Sequence, residues 1–155
     1  YREAPGTVYM TLHPNIVTLA EALIHETQHG KANALSWSDP LLYNAHTEWT
    51  ESAVRPDLRP LWGVLLAVHA FVPVAAMHYV LAEKKHPLAN GEWFGRRRAQ
   101  VLKGNANGIA TLKEKSDPSP AGSEMLQALY DLDAFLQDVA PPPPVEIPED
   151  QMPPG

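Results

Sequence analysis

The sequence predicts a mainly α-helical protein. We expect a helical bundle in which a helix with an HExxH motif packs on a proline-kinked apolar helix, with one short N-terminal strand. Two long apolar segments, one around residue 25 and one over residues 61–82, are typical of helices that bury a face. Residues 123–139 repeat apolar side chains at the three- and four-residue spacing of an amphipathic helix.

Composition restricts the class of protein. The chain has 155 residues, enough for one domain with a hydrophobic core, and we expect residues 1–140 to form it. Because cysteine is absent, disulfides, thiolate metal sites and cysteine nucleophiles are excluded. The formal charge of −6 argues against nucleic acid as a partner. No signal peptide is visible, which favours a cytoplasmic protein.

The N-terminal part of the chain is predicted to form an extended segment followed by a helix. Residues 7–12 are rich in β-branched and aromatic side chains between prolines, and predict a short strand or extended segment. His13 follows in a turn beside Pro14, where it is either exposed or a metal ligand. The first helix is predicted from Val17 to Ser36, and Thr18 with Glu21 resembles a capping box at its start.

A loop is predicted over residues 44–60, since two prolines and mixed charges interrupt any periodicity. Loops beside a metal-binding helix often build the substrate pocket. Each charged residue in it can also be a solvated loop charge. The candidate metal ligands are His46, Glu48 and Glu51, and the candidate cations for a ligand carboxylate are Arg55 and Arg59.

Residues 61–82 predict a buried central helix, although the segment is nearly long enough to cross a membrane. Pro73 has no N–H group and leaves the carbonyl of His69 without its helical partner, so we expect a kink there. His69 is the one ionisable side chain in residues 61–72. It is either a hydrogen-bonded core histidine or a third metal ligand. His78 points about 180° away from His69 and is expected to be structural.

Two further helices complete the prediction. The third opens after Asn90-Gly91 and runs to about Lys115, with Arg96–Arg98 as a solvated or salt-bridged face and a weak middle near Asn105. The fourth begins near Gly122 or Ser123 and ends near Val139. Residues 141–155 hold seven of the sixteen prolines and predict an extended or disordered tail.

The HExxH motif is His25-Glu26-Thr27-Gln28-His29. Histidines four residues apart on a helix lie on the same face and can bind one metal ion. With no thiolate available, zinc and non-haem iron are the leading metals. In a zinc metallopeptidase, Glu26 would be the general base. The long form of that motif would need glycine at Ala32 and histidine at Leu35, and a surface helix with solvated histidines is the other alternative.

A wider set of motifs resembles the HExxH-type peptide β-hydroxylases, a bacterial 2-oxoglutarate-dependent family that modifies ribosomally made peptides. The resemblance covers roughly residues 2–136, and an ordered string of motifs is far more specific than HExxH alone. Gly30 and Ala32 depart from the family's bulkier residues. The motifs that carry the resemblance are Arg2–Gly6, Ala20–His29, Lys31–Leu35, Arg55–Leu61 and Gly63–Phe71.

The resemblance implies an iron(II) enzyme that hydroxylates the β-carbon of a residue in a precursor peptide. His25 and His29 would bind iron, with His69 as the matching third position and Glu26 or Glu48 as alternatives. Because Glu26 cannot easily bind the same ion as both neighbouring histidines, it is expected to support a ligand or to handle a proton beside the metal. The far carboxylate of 2-oxoglutarate would bind Arg59 first and Arg55 second. Apart from the resemblance, Asn33 faces roughly the same side of the helix as His29, where it either orients a ligand or binds substrate, or is a plain polar helix residue. Some members are fused to, or encoded beside, radical-SAM enzymes. The non-enzymatic alternative is a peptide-binding helical domain.

Overall fold

The mainly helical bundle is confirmed by a computed structural model, which describes residues 6–51 and 57–142. Its helices begin and end within three residues of the predicted bounds. A single 3-10 turn at Pro87–Ala89 joins two of them. The helices are α1 (Ile16–Ser36), α2 (Leu61–Glu83), α3 (Glu92–Lys115) and α4 (Pro120–Val139).

Helix α2 lies at the centre of the bundle. It contacts α1, α3 and α4, and Leu61, Leu65 and Val72 on it are fully buried. By length and composition alone it could cross a membrane. The contacts that its apolar side chains make with the other helices are compatible with a soluble protein. The expectation of a buried central helix therefore agrees with its packing.

The starts of two helices show why the chain turns where it does. Asn15 caps α1, because its side-chain oxygen accepts a hydrogen bond from the backbone N–H of Thr18 at 3.2 Å. The predicted capping box at Thr18 and Glu21 is therefore wrong. Asn15 follows Pro14 in an extended conformation that suits a cap, whereas Thr18 already lies inside the helix. At α4, Ser119 is the cap and Pro120 opens the helix.

Helix α3 is continuous through the middle that the sequence predicted to be weak. Asn105 is buried there, and its amide donates a hydrogen bond to the carbonyl oxygen of Phe71 in α2 at 3.0 Å. Gly108 lets the two helices approach, because a β-carbon at this position would lie 2.7 Å from a methyl carbon of Val68. Residues with poor helix propensity thus serve the α2–α3 interface.

Strands form where the sequence predicted a loop. Residues 7–13 have no regular structure, so the short N-terminal strand is not found among the described residues and the extended alternative holds. A strand needs a second strand as its hydrogen-bonding partner. The paired strands are β1 (Trp49–Glu51) and β2 (Leu58–Pro60). They are antiparallel, with Thr50 opposite Arg59. Residues 143–155, most of the predicted tail, lie outside the described residues.

Candidate metal centre

The HExxH motif lies in the middle of α1, where helical geometry brings its side chains together. The rings of His25 and His29 have centroids 4.0 Å apart. Ligand atoms of His25, Glu26 and His29 all lie within 4.8 Å of one another. All three residues are half-buried. These distances allow the two imidazoles and the carboxylate to approach a single metal ion.

Glu26 lies close enough to act in two ways. Its Oε1 atom is 3.4 Å from Nδ1 of His25, so the carboxylate can accept the Nδ1 proton and leave Nε2 of His25 free for a metal. Such a hydrogen bond fixes the tautomer and raises the basicity of a ligating histidine. Alternatively, Glu26 can bind the metal itself, since it belongs to the same compact group.

His29 is prepared for metal binding by its surroundings. Burial, together with the neighbouring His25, lowers the pKa of His29 from 6.5 to about 4. The imidazole is therefore neutral at pH 7, the form that ligates metals. Its Nε2 atom is buried and has no hydrogen-bond partner.

His69 lies on α2 beside this group but is not part of it. The side chain is buried, and its Nδ1 atom has no hydrogen-bond partner. Burial lowers the pKa of His69, against a smaller opposing effect of the Gln28 backbone. A hydrogen bond from the Gln28 side chain to the His69 carbonyl oxygen places this turn of α2 against the motif. The ligand role of His69 stays a prediction, because its atoms lie outside the 4.8 Å group.

These residues fit a metal ion by their chemistry. Buried polar atoms are nearly always paired, so the unpartnered nitrogens of His29 and His69 call for a partner. A metal bound through one of these lone pairs would supply it. Imidazole and carboxylate ligands suit both zinc and iron(II).

Gln28 links the motif to α2 through a backbone carbonyl oxygen that Pro73 leaves without its helical hydrogen bond. Its Nε2 atom donates a hydrogen bond to the carbonyl oxygen of His69 at 3.1 Å. That oxygen is the one that the missing N–H of Pro73 leaves free. The helix continues past Pro73. The second variable residue of the motif therefore holds the helix turn that carries His69.

Replacing Gln28 by leucine should lower the free energy of unfolding by about 1–2 kcal/mol, because the buried His69 carbonyl loses its partner. We also expect metal affinity to fall about tenfold, as for other changes in groups that orient a ligand. Urea unfolding and competitive zinc titration measure the two effects. Gln127→Leu, on the exposed face of α4, is the matched control. Equal behaviour of the two variants would contradict this role for Gln28.

The remaining predicted site residues are scattered. His13 lies in an exposed turn and accepts the Asn15 N–H, and His46 is exposed beside Trp62. Glu48 and Glu51 do not join the compact group, so His25, Glu26 and His29 alone of the predicted ligands are brought together in the described part of the chain.

The structure describes two of the three predicted cofactor-binding residues, Arg59 and Asn33. Arg55 is outside the described residues. The guanidinium of Arg59 lies against Gly63, which precedes His69 on α2 by six residues. A β-carbon at Gly63 would lie 3.1 Å from Nη2 of Arg59. Asn33 is half-buried one helical turn after His29. Neither Arg59 nor Asn33 lines the pocket that reaches His25, and their cofactor roles stay predictions.

A pocket of about 580 Å³ opens beside His25 between α1 and α3. Phe71 of α2 also lines it, with its ring centroid 5.1 Å from that of His25. The cation in its lining is Arg97, which belongs to the basic run Arg96–Arg98 and was not predicted as a site residue. The sequence does contain a signal for Arg97, because Trp93 and Arg97 are four residues apart and therefore lie on one face of α3.

Arg97 is held in the pocket by a buried carboxylate. Its Nη2 and Nε atoms lie 2.7 and 2.8 Å from Oε1 of Glu21, one turn before His25. The other carboxylate oxygen faces Nε2 of the fully buried His78 at 3.4 Å. His78 thus has the structural role that the sequence predicted, and the salt-bridged alternative for the basic run holds at Arg97.

Glu21 makes this cluster sensitive to acid. Burial raises the pKa of Glu21, but His78 and Arg97 together outweigh burial and hold the pKa below 4.5. A carboxyl whose pKa is lower in the folded state stabilises the fold above the unfolded-state pKa. This contribution is lost as the pH falls through the folded-state value.

Glu21→Gln should therefore lower the free energy of unfolding by about 1–3 kcal/mol at pH 7, a range reduced from that of fully buried pairs because Arg97 is partly exposed. The difference from wild type should shrink as the pH falls below 4.5, where the wild type loses the same interaction. Urea unfolding of metal-free protein from pH 3 to 7 measures it. The exposed Glu124→Gln is the control, and a pH-independent difference would contradict the expectation.

Comparison with models of known protein families and with curated proteins gives no match. The motif, its geometry and the pocket beside it are therefore the features that indicate a function.

Proposed function

We propose that the protein is an iron(II)- and 2-oxoglutarate-dependent oxygenase that hydroxylates the β-carbon of a residue in a ribosomally made precursor peptide. The observation that carries the proposal is that His25, Glu26 and His29 lie together, and that His25 also lines a pocket large enough for a substrate group. The ordered motifs that resemble the peptide β-hydroxylases favour oxygen chemistry over hydrolysis at this site.

The residues of the chain would hold and orient the reactants. His25 and His29 would bind the metal, with Glu26 or His69 as the third ligand. Two histidines and one carboxylate, with open positions, are typical of non-haem iron(II) oxygenases. When bound, iron(II) and 2-oxoglutarate supply oxygen activation, with conversion of 2-oxoglutarate to succinate and carbon dioxide. If Glu26 is not a ligand, its hydrogen bond to His25 would fix the ring that binds the metal.

Cofactor and partner assignments follow the same proposal. Arg59 is the proposed anchor for the far carboxylate of 2-oxoglutarate, because a guanidinium binds a carboxylate in bidentate fashion. The precursor peptide is the proposed partner, with a radical-SAM enzyme as a second partner in the same peptide-modifying pathway. A cytoplasmic location would suit both.

A zinc metallopeptidase is the second candidate, and the position of Glu26 favours it. A carboxylate within 4.8 Å of the ligand atoms of both histidines could take a proton from a metal-bound water. This candidate needs zinc and peptide cleavage without 2-oxoglutarate, so the two functions are separable by metal and co-substrate.

The deciding experiment is anaerobic reconstitution with iron(II) followed by addition of 2-oxoglutarate. We expect a visible charge-transfer band that bleaches when oxygen is admitted, with succinate formed in step. His29→Ala should give neither band nor succinate, whereas His46→Ala, an exposed histidine outside the group, should behave as wild type.

Other outcomes would assign other functions. Absence of the band together with retained zinc and cleavage of a peptide library would overturn the oxygenase in favour of the peptidase. Failure to take up either metal, with a peptide still bound, would support the non-catalytic peptide-binding domain.

A further inference from the structure

The pocket beside His25 has a composition that restricts what it can bind. It lies between one face of α1 and one face of α3, and His25 is part of its lining. A group bound in the pocket would therefore lie next to the metal-binding residues.

The charges in the pocket already neutralise each other. Arg97 donates two of its N–H groups to one oxygen of Glu21, and the second oxygen of Glu21 is buried against His78. A carboxylate guest would compete with Glu21 for the guanidinium, and an ammonium guest would face Arg97. Because breaking a partly buried ion pair is costly, the pocket disfavours charged groups of either sign.

The rest of the lining favours apolar guests. Ala22 and Phe71 present carbon surfaces, and Trp93 lies on the same pocket with its side chain partly exposed. Exposed tryptophan beside a concave site is a common anchor for apolar groups, since it buries a large area with little loss of conformational freedom. Thr18 and Gln100 add neutral hydrogen-bonding groups.

We propose that this pocket is a specificity subsite that binds a neutral, apolar side chain of the substrate peptide, either branched aliphatic or aromatic. The placement of that side chain next to a reacting metal rests on the proposed function. Binding in the pocket does not, because none of the walls named here needs a metal to form. Ala22 sets the width of the subsite, as the smallest side chain in the lining.

The test uses N-acetyl amino acid amides as probes for the metal-free wild-type chain. Protein NMR spectra are recorded during titration with the leucine, phenylalanine, aspartate and lysine compounds. We expect the leucine and phenylalanine amides to shift the Ala22 methyl and Trp93 indole signals saturably, with dissociation constants of about millimolar for such small ligands. The aspartate and lysine amides should bind at least tenfold more weakly.

Ala22→Phe should fill the pocket and weaken binding of the leucine amide at least tenfold. Ala110→Phe, the same change at an exposed position of α3, should leave it unchanged. Zinc uptake by Ala22→Phe reports whether the motif is intact. If that variant does not fold, nuclear Overhauser effects between the probe and Trp93 in wild type decide the location.

Equal binding of charged and apolar probes, or no saturable shift at Ala22 and Trp93, would overturn the subsite. Apolar probe binding in a protein that forms no charge-transfer band with iron(II) and 2-oxoglutarate would overturn the oxygenase alone. The band without probe binding would overturn the subsite alone.

Discussion

Replacing His29 by alanine is expected to reduce metal affinity by roughly 100-fold or more, which exceeds the effect of removing a group that merely orients a ligand. The reason is local: Nε2 of His29 is buried without a partner, and its pKa of about 4 keeps the ring neutral at pH 7. Competitive titration with zinc or cobalt(II) against a chelator measures the loss. His46→Ala removes a histidine outside the group and should change nothing.

The same variant should not be destabilised when metal is absent. Removing a buried nitrogen that has no partner relieves a desolvation cost and offsets the lost packing. A large loss of stability in metal-free His29→Ala, with unchanged metal affinity, would show that His29 is a core residue rather than a ligand.

Titration of two further variants identifies the third ligand. If Glu26 is the ligand, Glu26→Ala should lose metal affinity much more than His69→Ala. The opposite order would assign the ligand to His69, whose Nδ1 atom is also buried without a partner. Full metal occupancy and turnover in His69→Ala would refute the predicted role of His69.

Replacing Gly122 by alanine is expected to lower the free energy of unfolding by about 2–3 kcal/mol or more. A β-carbon at Gly122 would overlap the carbonyl oxygen of Leu41. Backbone cannot move aside as a flexible side chain can, so the overlap should outweigh the roughly 1 kcal/mol by which alanine favours a helix.

The contact is fixed from both sides. The Leu41 carbonyl accepts the N–H of Ser119, and Asp39 accepts hydrogen bonds from the Leu41 N–H and the Ser119 hydroxyl. The Ser119 hydroxyl in turn accepts the N–H of Gly122. The start of α4 is thus tied to the loop after α1, and a shift of one would break hydrogen bonds in the other.

Gly30→Ala is the matched control for Gly122→Ala. Gly30 also lies within a helix, but a β-carbon there would meet nothing within 4 Å. Alanine should therefore stabilise the protein by about 0.5–1 kcal/mol through helix propensity alone. Urea unfolding of both variants measures the contrast, and a similar gain in Gly122→Ala would show that α4 does not pack closely on Leu41.

Features that depend on neighbours along the chain could be predicted from the sequence. Helix ends could be placed closely because prolines and apolar runs bound them, as at Pro60 before α2 and Pro118 before α4. The meeting of His25 and His29 follows from four-residue spacing on any regular helix. The free carbonyl of His69 followed from Pro73 in the same way.

The contacts between residues far apart in the chain depend on how the helices pack and could not be predicted. Gln28 is 41 residues from His69, and Arg97 is 76 residues from Glu21. Asn105, a poor helix former, lies at the interface between α2 and α3. The segment predicted as a loop contains two short strands, because β1 and β2 supply each other's hydrogen bonds. Spacing along the chain determines in which direction each side chain points from its own helix. Which side chains share a buried space depends on how several helices pack, and that packing depends on the whole core at once.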